Sequence, residues 1–396
     1  MTDAARPIHV VLAGGGTAGH IEPALSLADA LRRRDLRIGI TALGTTKGLE
    51  TRLVPERGYD LELIPAVPLP RRPTSELFTV PSRLAGTVRR AAEVLDKVGA
   101  DVVVGFGGYV ALPAYFAARR RAVPIVLHEA NVRPGLANRV GARMTDRIAT
   151  GSPDCRIGGG RYIGMPLRRA LATLDRAALH AEACDAFGLE KDRPTLLVYG
   201  GSQGARRLNE AVAAAASTFT GAGIQILHAV GRANYDESAR RNAAAAGESG
   251  TGARYVAVPY LDRMDLAYAA ADLVLCRGGA MTCAEVAAVG LPGAYVPLPI
   301  GNGEQRLNAQ PAVRAGGGLM VDDADLTADW LTRELVPLAL DREKLDLMGR
   351  AAFELGRRDA DEALADLVFE AAGSTPAVAA GNTGPGPGPD SAGAGA

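Results

Sequence analysis

Short runs of apolar, often β-branched residues alternate with longer segments of helical periodicity along most of the chain. Strands that read as continuous apolar runs are typical of parallel sheets with helices on both faces. The pattern therefore predicts an α/β protein with two doubly wound, Rossmann-like halves. The strands are expected at residues 8–12, 38–43, 61–64, 101–105, 125–128 and 147–150, and then at 195–199, 224–229, 254–258, 273–276, 293–296 and 319–321.

This pattern predicts two domains and a tail. We expect residues 6–164 to form the first domain and residues 165–351 the second, with a C-terminal helix at about 352–372 that packs back on the first. A chain of 396 residues is long enough for two domains that each bury a core. Residues 373–396 are rich in glycine, proline and alanine, which predicts a disordered tail.

Each half begins with an apolar strand that runs into a glycine-rich turn and then a helix. The first turn reads GGGTAGH and the second YGGSQGAR, and the segments GFGGYVALP and CRGGAMTCAE form a second such pair. Ligands of doubly wound sheets bind outside the carboxyl ends of the strands. If the two halves face each other across a cleft, these turns lie opposite one another, and one ligand could be held by each half.

The first turn fits the dinucleotide pattern G-x-G-x-x-G at Gly14, Gly16 and Gly19, whose amides receive a pyrophosphate. Such an enzyme also needs a carboxylate about 20 residues on, at the end of the second strand. Residues 45–47 read Thr-Thr-Lys instead, so an oxidoreductase is not favoured. A Walker-type phosphate loop does not fit either, because His20 stands where that loop needs lysine.

The second half has more polar groups after its strands. Ser202 lies at a helix start, where an anionic oxygen is stabilised by free amides. Glu285 lies one turn into the helix that follows Gly279, where a carboxylate can accept hydrogen bonds from ribose hydroxyls. Gln305 and Asn308 offer donors and acceptors suited to a sugar. Each of these residues could instead be an ordinary cap or surface group, and that alternative stays open.

Composition excludes several classes of function. The 44 basic and 44 acidic residues balance, so no overall field recruits nucleic acid. The four cysteines include no C-x-x-C pair, which argues against a disulfide framework. No signal-peptide pattern and no run of 18 apolar residues occurs. We therefore expect a cytoplasmic protein without a nucleic-acid partner.

Six motifs together resemble those of the MurG family of glycosyltransferases. They read GGGTAGH, GFGGY, HEAN, GGSQGARRLN, CRGGAMTCAE and GNGEQRLNAQ, and the similarity covers about residues 8–372. The resemblance implies the two-Rossmann architecture called GT-B. It also implies a peripheral enzyme on the cytoplasmic face of the cell membrane, which acts in peptidoglycan synthesis. Its reaction would be the inverting transfer of N-acetylglucosamine from UDP-N-acetylglucosamine to the C4 hydroxyl of a lipid-linked muramoyl-pentapeptide.

The resemblance also implies roles for individual residues. His20 would be the general base, with Glu129 as a rival, and both would face the acceptor together with Thr17 and Tyr109. No carboxylate pair at metal spacing follows a strand in these motifs, so we expect no bound metal and no cofactor besides the substrate UDP-N-acetylglucosamine. The residues implied to bind that donor are Thr17, Ala18, Gly19, Asn131, Arg168, Ser202, Tyr260, Leu261, Ala280, Met281, Thr282, Glu285 and Gln305.

Four positions depart from the family pattern. Family members often carry Gln where this chain has Ala130, Asn where it has Met165, a non-glycine small residue at Gly279 and Gln at Glu304. A carboxylate at Glu304 would repel a diphosphate sugar unless it were protonated or turned away. The departures at Glu304 and Ala130 keep a non-catalytic paralogue that binds UDP-sugar open as an interpretation. The shared architecture also leaves a sugar-nucleotide epimerase or a transferase for a soluble acceptor as alternatives.

A surface segment suggests how the chain would meet a membrane. Residues 69–84 read LPRRPTSELFTVPSRL. Apolar side chains here could enter the headgroup boundary while arginines meet anionic lipid. Helical packing of the apolar residues in the core is the alternative. The residues concerned are Leu77, Phe78 and Val80, with Arg71, Arg72, Arg83 and Arg119 to Arg121.

Overall fold

The chain forms two parallel sheets covered by helices. The computed structural model describes residues 7–67, 80–201, 205–235, 253–299 and 302–374. In the first sheet all seven strands are parallel, in the order β3-β2-β1-β4-β5-β6-β7. They are β1 (His9–Gly14), β2 (Gly39–Gly44), β3 (Asp60–Leu63), β4 (Val102–Gly107), β5 (Ile125–Glu129), β6 (Ile148–Thr150) and β7 (Arg161–Tyr162).

The second sheet repeats this plan with six parallel strands, in the order β10-β9-β8-β11-β12-β13. Both sheets place their first strand in the middle and wind outwards in two directions, so a crevice opens where the winding reverses. The strands are β8 (Thr195–Tyr199), β9 (Gln225–Ala229), β10 (Tyr255–Val258), β11 (Leu273–Cys276), β12 (Gly293–Tyr295) and β13 (Gly318–Met320).

Helices connect the strands of both sheets. The first domain contains α1 (Ala18–Arg34), α2 (Glu50–Glu56), α3 (Val80–Val98), α4 (Ala111–Arg120) and α5 (Leu136–Gly141). The remaining helices are α6 (Arg169–Ala172), α7 (Arg176–Phe187), α8 (Arg206–Gly221), α9 (Met264–Ala270), α10 (Ala280–Ala288), α11 (Glu304–Arg314), α12 (Ala328–Trp330), α13 (Val336–Leu340), α14 (Arg342–Leu355) and α15 (Ala360–Ala371). A 3-10 turn spans Arg232–Asn234, and a π-helical turn, Leu331–Leu335, joins α12 to α13.

The predicted architecture of two doubly wound halves is confirmed, and each of the twelve expected strands is present. The apolar runs predict them well because the central strands are buried on both faces: Val10, Leu12 and Val104, for example, are fully buried or nearly so. The short strand β7 was not expected. Its two residues, Arg161 and Tyr162, carry no apolar run, and they extend the sheet only by pairing with β6.

The expected C-terminal helix over about 352–372 is two helices, so this prediction needs correction. The chain turns extended at Gly356, where a Cβ atom would lie 2.7 Å from the backbone of Ala287 and Ala288. This close approach ends α14 at Leu355. The following helix, α15, packs on α1, and its buried Leu364 and Val368 belong to the same core cluster as β1 and α1.

Ion pairs reinforce the contact between α15 and α1. Arg33 pairs with Asp361, whose side chain is buried, and with Glu362 at 2.7 Å. Arg34 pairs with Glu362 at 2.7 Å and with Asp366 at 2.6 Å. The chain therefore passes between the two domains twice, before α6 and after α14. The tail from residue 375 onwards lies outside the described residues.

Candidate active site

Loops from the carboxyl ends of the two sheets meet at a small polar contact. Asn131 and Val132 follow β5 of the first sheet, and Asn308 lies in α11 of the second domain. Asn308 Nδ2 donates to Asn131 Oδ1 at 3.1 Å, and Val132 N donates back to Asn308 Oδ1 at 3.1 Å. The amide of Asn308 is thus held by the first domain through both of its polar atoms.

His20 lies in the first turn of α1, directly after the glycine-rich turn. Its Nδ1 atom is 3.2 Å from the hydroxyl of Thr17, which orients the ring. Burial lowers the pKa of His20, and a hydrogen bond to the Gly15 carbonyl opposes this shift. A Cβ at Gly107 would lie 3.3 Å from His20 Nε2, so a glycine there leaves room beside this nitrogen. The imidazole is therefore a neutral base near pH 7.

The surroundings of His20 are open to solvent. Thr17 is the N-cap residue of α1, and its side chain makes no capping hydrogen bond. Thr17 and Gly19 are exposed, Ala18 is half-buried, and Tyr109 is 51% exposed. A Cβ at Gly16 would lie 3.9 Å from the Tyr109 ring, so Tyr109 stands beside the glycine turn. These residues form an accessible rim around a partly buried histidine.

Glu129 differs from His20, because its carboxylate is buried and fully engaged. One oxygen accepts hydrogen bonds from Asn131 N at 2.9 Å and from Asn131 Nδ2 at 3.3 Å. The other accepts from Gly135 N at 3.0 Å and Asn138 Nδ2 at 2.9 Å. Burial raises the pKa of Glu129, and these donors oppose the rise. The arrangement fixes the loop from residue 129 to residue 138.

Two polar residues behind Glu129 were missed by the sequence analysis. Asn138 also accepts a hydrogen bond from the hydroxyl of the buried Tyr115 at 2.7 Å. Tyr115 fits only because its neighbour on β4 is a glycine: a Cβ at Gly105 would lie 1.9 Å from the Tyr115 oxygen. An asparagine within the helix after HEAN was the available signal, but nothing in the spacing shows that its partner is Tyr115.

Glu50 is a second buried carboxylate that the sequence analysis missed. It lies at the start of α2 and accepts hydrogen bonds from Thr45 N at 2.7 Å, Thr45 Oγ1 at 3.0 Å and Gly16 N at 3.0 Å. The turn after β2 therefore does contact a carboxylate, three residues beyond the last of the positions 45–47 considered in the sequence. Because Glu50 already takes the Gly16 amide, that amide is not free for a phosphate. This agrees with rejecting the dinucleotide interpretation.

On the second domain, Glu285 ends a chain of buried hydroxyls. Tyr268 donates to Glu285 Oε2 at 2.9 Å, and the hydroxyls of Tyr268 and Tyr199 lie 2.7 Å apart. Burial raises the pKa of the Glu285 carboxyl; the charge of Arg168 and the Tyr268 hydrogen bond oppose the rise. Arg168, the N-cap residue of α6, thus lies near Glu285.

The start of α10 presents backbone amides next to this carboxylate. Gly279 is the N-cap residue and has no side chain that could cap the helix. A Cβ at Gly278 would lie 2.4 Å from the Gln305 carbonyl oxygen, so α11 packs directly on this turn. The helix dipole adds positive potential here. An anionic group is therefore stabilised at this helix start.

Of the remaining donor residues, Gln305 packs beside this helix start. Gln305 Oε1 accepts from Leu298 N at 2.9 Å, which leaves its amide nitrogen to donate. Leu261 is buried, and the Tyr260 ring lies under the Arg232 guanidinium at 5.6 Å. Ser202 lies outside the described residues, so its predicted contact with a diphosphate stays a prediction.

The structure accommodates all four departures from the family pattern. Glu304 Oε2 accepts a hydrogen bond from Asn302 N at 3.0 Å, so this carboxylate turns towards its own loop. Ala130 and Met165 pack together in an apolar cluster between the domains. They line a cavity of about 70 Å³ with residues of α10 and α11. Gly279 is extended at the start of α10, a conformation open to other residues.

Within the described residues, no group of three or more His, Cys, Asp or Glu side chains is placed to hold a metal ion. No helix in the same part of the chain is long and apolar enough to cross a bilayer.

Comparisons with known proteins match both halves of the chain. The glycosyltransferase family 28 N-terminal domain matches residues 10–150, and the glycosyltransferase family 28 C-terminal domain matches residues 195–364. The UDP-N-acetylglucosamine--N-acetylmuramyl-(pentapeptide) pyrophosphoryl-undecaprenol N-acetylglucosamine transferase of Streptomyces avermitilis is 64% identical, over 92% of this chain and 98% of its own. The protein of the same name from Thermobifida fusca is 56% identical, over 93% and 96%.

Solved structures agree with these sequence matches. The crystal structure of Acinetobacter baumannii MurG superposes with a TM-score of 0.75 at 26% identity, over 92% of this chain and all of that one. A UDP-N-acetylglucosamine 2-epimerase shares the fold, with a TM-score of 0.63 at 14% identity over 93% and 97%. The predicted GT-B architecture is thereby confirmed. The chain belongs to glycosyltransferase family 28, and within it to the MurG family.

Proposed function

We propose that this chain transfers N-acetylglucosamine from UDP-N-acetylglucosamine to N-acetylmuramyl-(pentapeptide) pyrophosphoryl-undecaprenol, a step of peptidoglycan synthesis. The observation that carries the proposal is the 64% identity, over nearly the full length, with a relative that bears the name of this activity. The site adds a chemical reason, because one domain supplies a neutral imidazole and the other an anion-stabilising helix start. The substrates are the lipid-linked acceptor and the nucleotide sugar.

The donor is assigned to the second domain. Glu285 would accept hydrogen bonds from the ribose hydroxyls, and the backbone at Leu261 would bind the uracil edge. The diphosphate would lie at the start of α10 and near Arg168, where helix dipole and guanidinium stabilise negative charge. Gln305 would donate to the sugar from the same side of the cleft, and Asn131 would reach it from the first domain.

The chemical step needs a base for the acceptor and a stabilised leaving group. In our assignment His20 takes the proton from the C4 hydroxyl, the oxygen attacks the anomeric carbon, and UDP leaves with the bonding electrons from the opposite face. The neutral imidazole has one N–H, which is donated to Thr17 or to the Gly15 carbonyl, and the other ring nitrogen accepts the proton of the C4 hydroxyl. Glu129 suits the base role less well, because both its oxygens already accept hydrogen bonds. We propose that Glu129 instead holds the loop from residue 129 to residue 138 in place.

In our assignment the leaving UDP is stabilised without a metal ion, and no cofactor takes part besides the substrates. The start of α10 and the Arg168 guanidinium would take over the task of neutralising UDP as it leaves. We expect no nucleic-acid partner.

For its location we propose a peripheral position on the cytoplasmic face of the cell membrane, at anionic lipid. Helices α3 and α4 pack together, and Arg83, Arg119 and Arg120 on them are exposed. Arg121 pairs with Asp96 at 2.6 Å. That carboxylate offsets the positive charge of Arg121, so this arginine should attract anionic lipid less than the sequence suggested. Residues 68–79, with Arg71, Arg72, Leu77 and Phe78, lie outside the described residues.

Replacing Glu285 tests the donor assignment. Glu285→Gln keeps the side chain's size but removes the charge that strengthens a hydrogen bond from ribose. UDP-N-acetylglucosamine affinity should fall by roughly 1–3 kcal/mol, measured by calorimetry. Glu343→Gln, on the exposed start of α14, is the matched control and should bind as the wild type does. Unchanged affinity of a folded Glu285→Gln protein would exclude the ribose role.

Replacing His20 tests the base. Turnover with UDP-N-acetylglucosamine and the lipid-linked muramoyl-pentapeptide should fall by about two to four powers of ten in His20→Ala, while donor affinity stays nearly intact. Glu129→Gln retains a side chain that can accept some of the loop's hydrogen bonds, so it should retain more activity. Near-normal turnover of His20→Ala together with loss of activity in Glu129→Gln would move the base to Glu129.

The same assignment fixes the direction of the pH dependence. A base acts only when unprotonated, and the pKa of His20 lies below its ordinary 6.5. Activity governed by this group should therefore persist below pH 6.5 and fall only as the pH drops through the lowered pKa. An acidic limb centred above pH 6.5 would not come from His20 as this structure describes it.

A membrane assay tests the proposed location. Serine at both Leu77 and Phe78 should weaken binding to vesicles with anionic lipid by about tenfold or more, because burial of apolar groups in the interface is lost. Leu36→Ser changes another exposed leucine, between α1 and β2, and should leave binding unchanged. Equal vesicle binding by the folded double variant and the wild type would remove the proposed contact.

A further inference from the structure

Arg168 lies beside carboxylates from both domains. Its Nε atom is 3.8 Å from Oε2 of Glu22, which belongs to α1 of the first domain. Glu285 of α10 is also near Arg168. The charge of Arg168 lowers the pKa of the Glu285 carboxyl, and the charge of Glu22 raises it. Arg168, the guanidinium assigned to the donor diphosphate, is therefore shared between the two halves of the cleft.

The first domain holds Glu22 firmly in this place. The same Oε2 accepts a hydrogen bond of 3.3 Å from Nη2 of Arg57, whose Nη1 donates to Asp29 at 2.7 Å. The Glu22 side chain is only 17% exposed, and the buried Pro23 follows it in α1. Glu22 is thus a resident negative charge, two residues from His20 and pointed at the second domain.

The local charges oppose an incoming diphosphate. Two carboxylates, Glu22 and Glu285, lie near the single guanidinium of Arg168, and Arg57 is shared between Glu22 and Asp29. A diphosphate adds negative charge beside them, and it gains most from Arg168 if that guanidinium leaves Glu22. The 3.8 Å separation exceeds a hydrogen bond, and pairs that are partly open to solvent are weak. This pair can therefore exchange partners.

We propose that Glu22 competes with the donor diphosphate for Arg168. In the donor-free chain Glu22 pairs with Arg168 and lowers donor affinity. When the nucleotide sugar binds, its diphosphate takes Arg168, and the ion pair between α1 and the segment before α6 breaks. Glu22 is a positioning residue that acts through Arg168 and not on the reacting atoms. The inference rests on the proposed function, because it takes the ligand of Arg168 to be a nucleoside diphosphate.

Calorimetric titration of UDP into the full chain tests this proposal, because UDP binding needs neither acceptor nor turnover. Glu22→Gln removes the competing charge and keeps the size of the side chain. The dissociation constant for UDP should fall about 3- to 10-fold at low ionic strength, and the gain should shrink as salt is added. Glu56→Gln removes the same charge from the exposed end of α2 and should leave the constant unchanged.

A double-mutant cycle tests whether Arg168 carries the effect. With Arg168→Ala as the background, Glu22→Gln should change UDP affinity by less than about twofold, since no guanidinium remains to be released. A gain as large as in the wild-type background would overturn the proposal, and so would a folded Glu22→Gln protein that binds UDP no more tightly than the wild type. A wild-type chain that does not bind UDP would overturn the proposed function, and this inference with it.

Discussion

One buried carboxylate, that of Glu129, holds the loop on which the contact between the domains depends. Removing an ionised carboxylate from water costs several kcal/mol, and here four hydrogen bonds from the loop's own donors offset that cost. The loop can then present Asn131 and Val132 to Asn308 of the second domain. The hydrogen bonds to Glu129 therefore help to position Asn131 and Val132 against Asn308, beside the other contacts between the domains.

Two of the glycine turns, GGGTAGH before α1 and CRGGA before α10, have different tasks because their polar surroundings differ. In the first domain Glu50 accepts a hydrogen bond from Gly16, so part of the turn's anion-binding capacity is used internally. The turn instead carries His20, which stays neutral. In the second domain the N-cap residue of α10 is a glycine, which has no side chain to use up the amides of the helix start. Similar backbones thus supply a base on one side and a site for a leaving anion on the other.

The sequence was sufficient for the fold class and for the positions of its strands. Strands such as β1 and β11 are apolar throughout because helices cover both their faces, so periodicity finds them. The break at Gly356 was missed because it depends on the backbone of Ala287 and Ala288, which is distant in sequence. The same reason hides Glu50 and Asn138: a carboxylate or amide in a helical segment looks like a surface group until its buried partners are known.

The roles of charged residues were less predictable than their positions. Glu304 looked like a source of repulsion, but its carboxylate accepts a hydrogen bond from Asn302 of its own loop. Arg168 was assigned to the diphosphate alone, and the structure adds Glu22 as its partner. The pairing of Glu22 with Arg168 joins segments far apart in the chain. It depends on a distance of a few ångströms, which spacing along the sequence does not encode.

With the base on one domain and the departing UDP on the other, the transfer is a single displacement at the anomeric carbon. The anomeric configuration of the disaccharide formed from UDP-N-acetylglucosamine and the lipid-linked acceptor tests it most directly. Nuclear magnetic resonance of the released disaccharide gives this configuration from the coupling of the anomeric proton. One displacement on the α-linked donor predicts a β-linked product with inversion. An α-linked product would mean two displacements through a covalent intermediate, and would contradict the assignment of His20 as a base that activates the acceptor for direct attack.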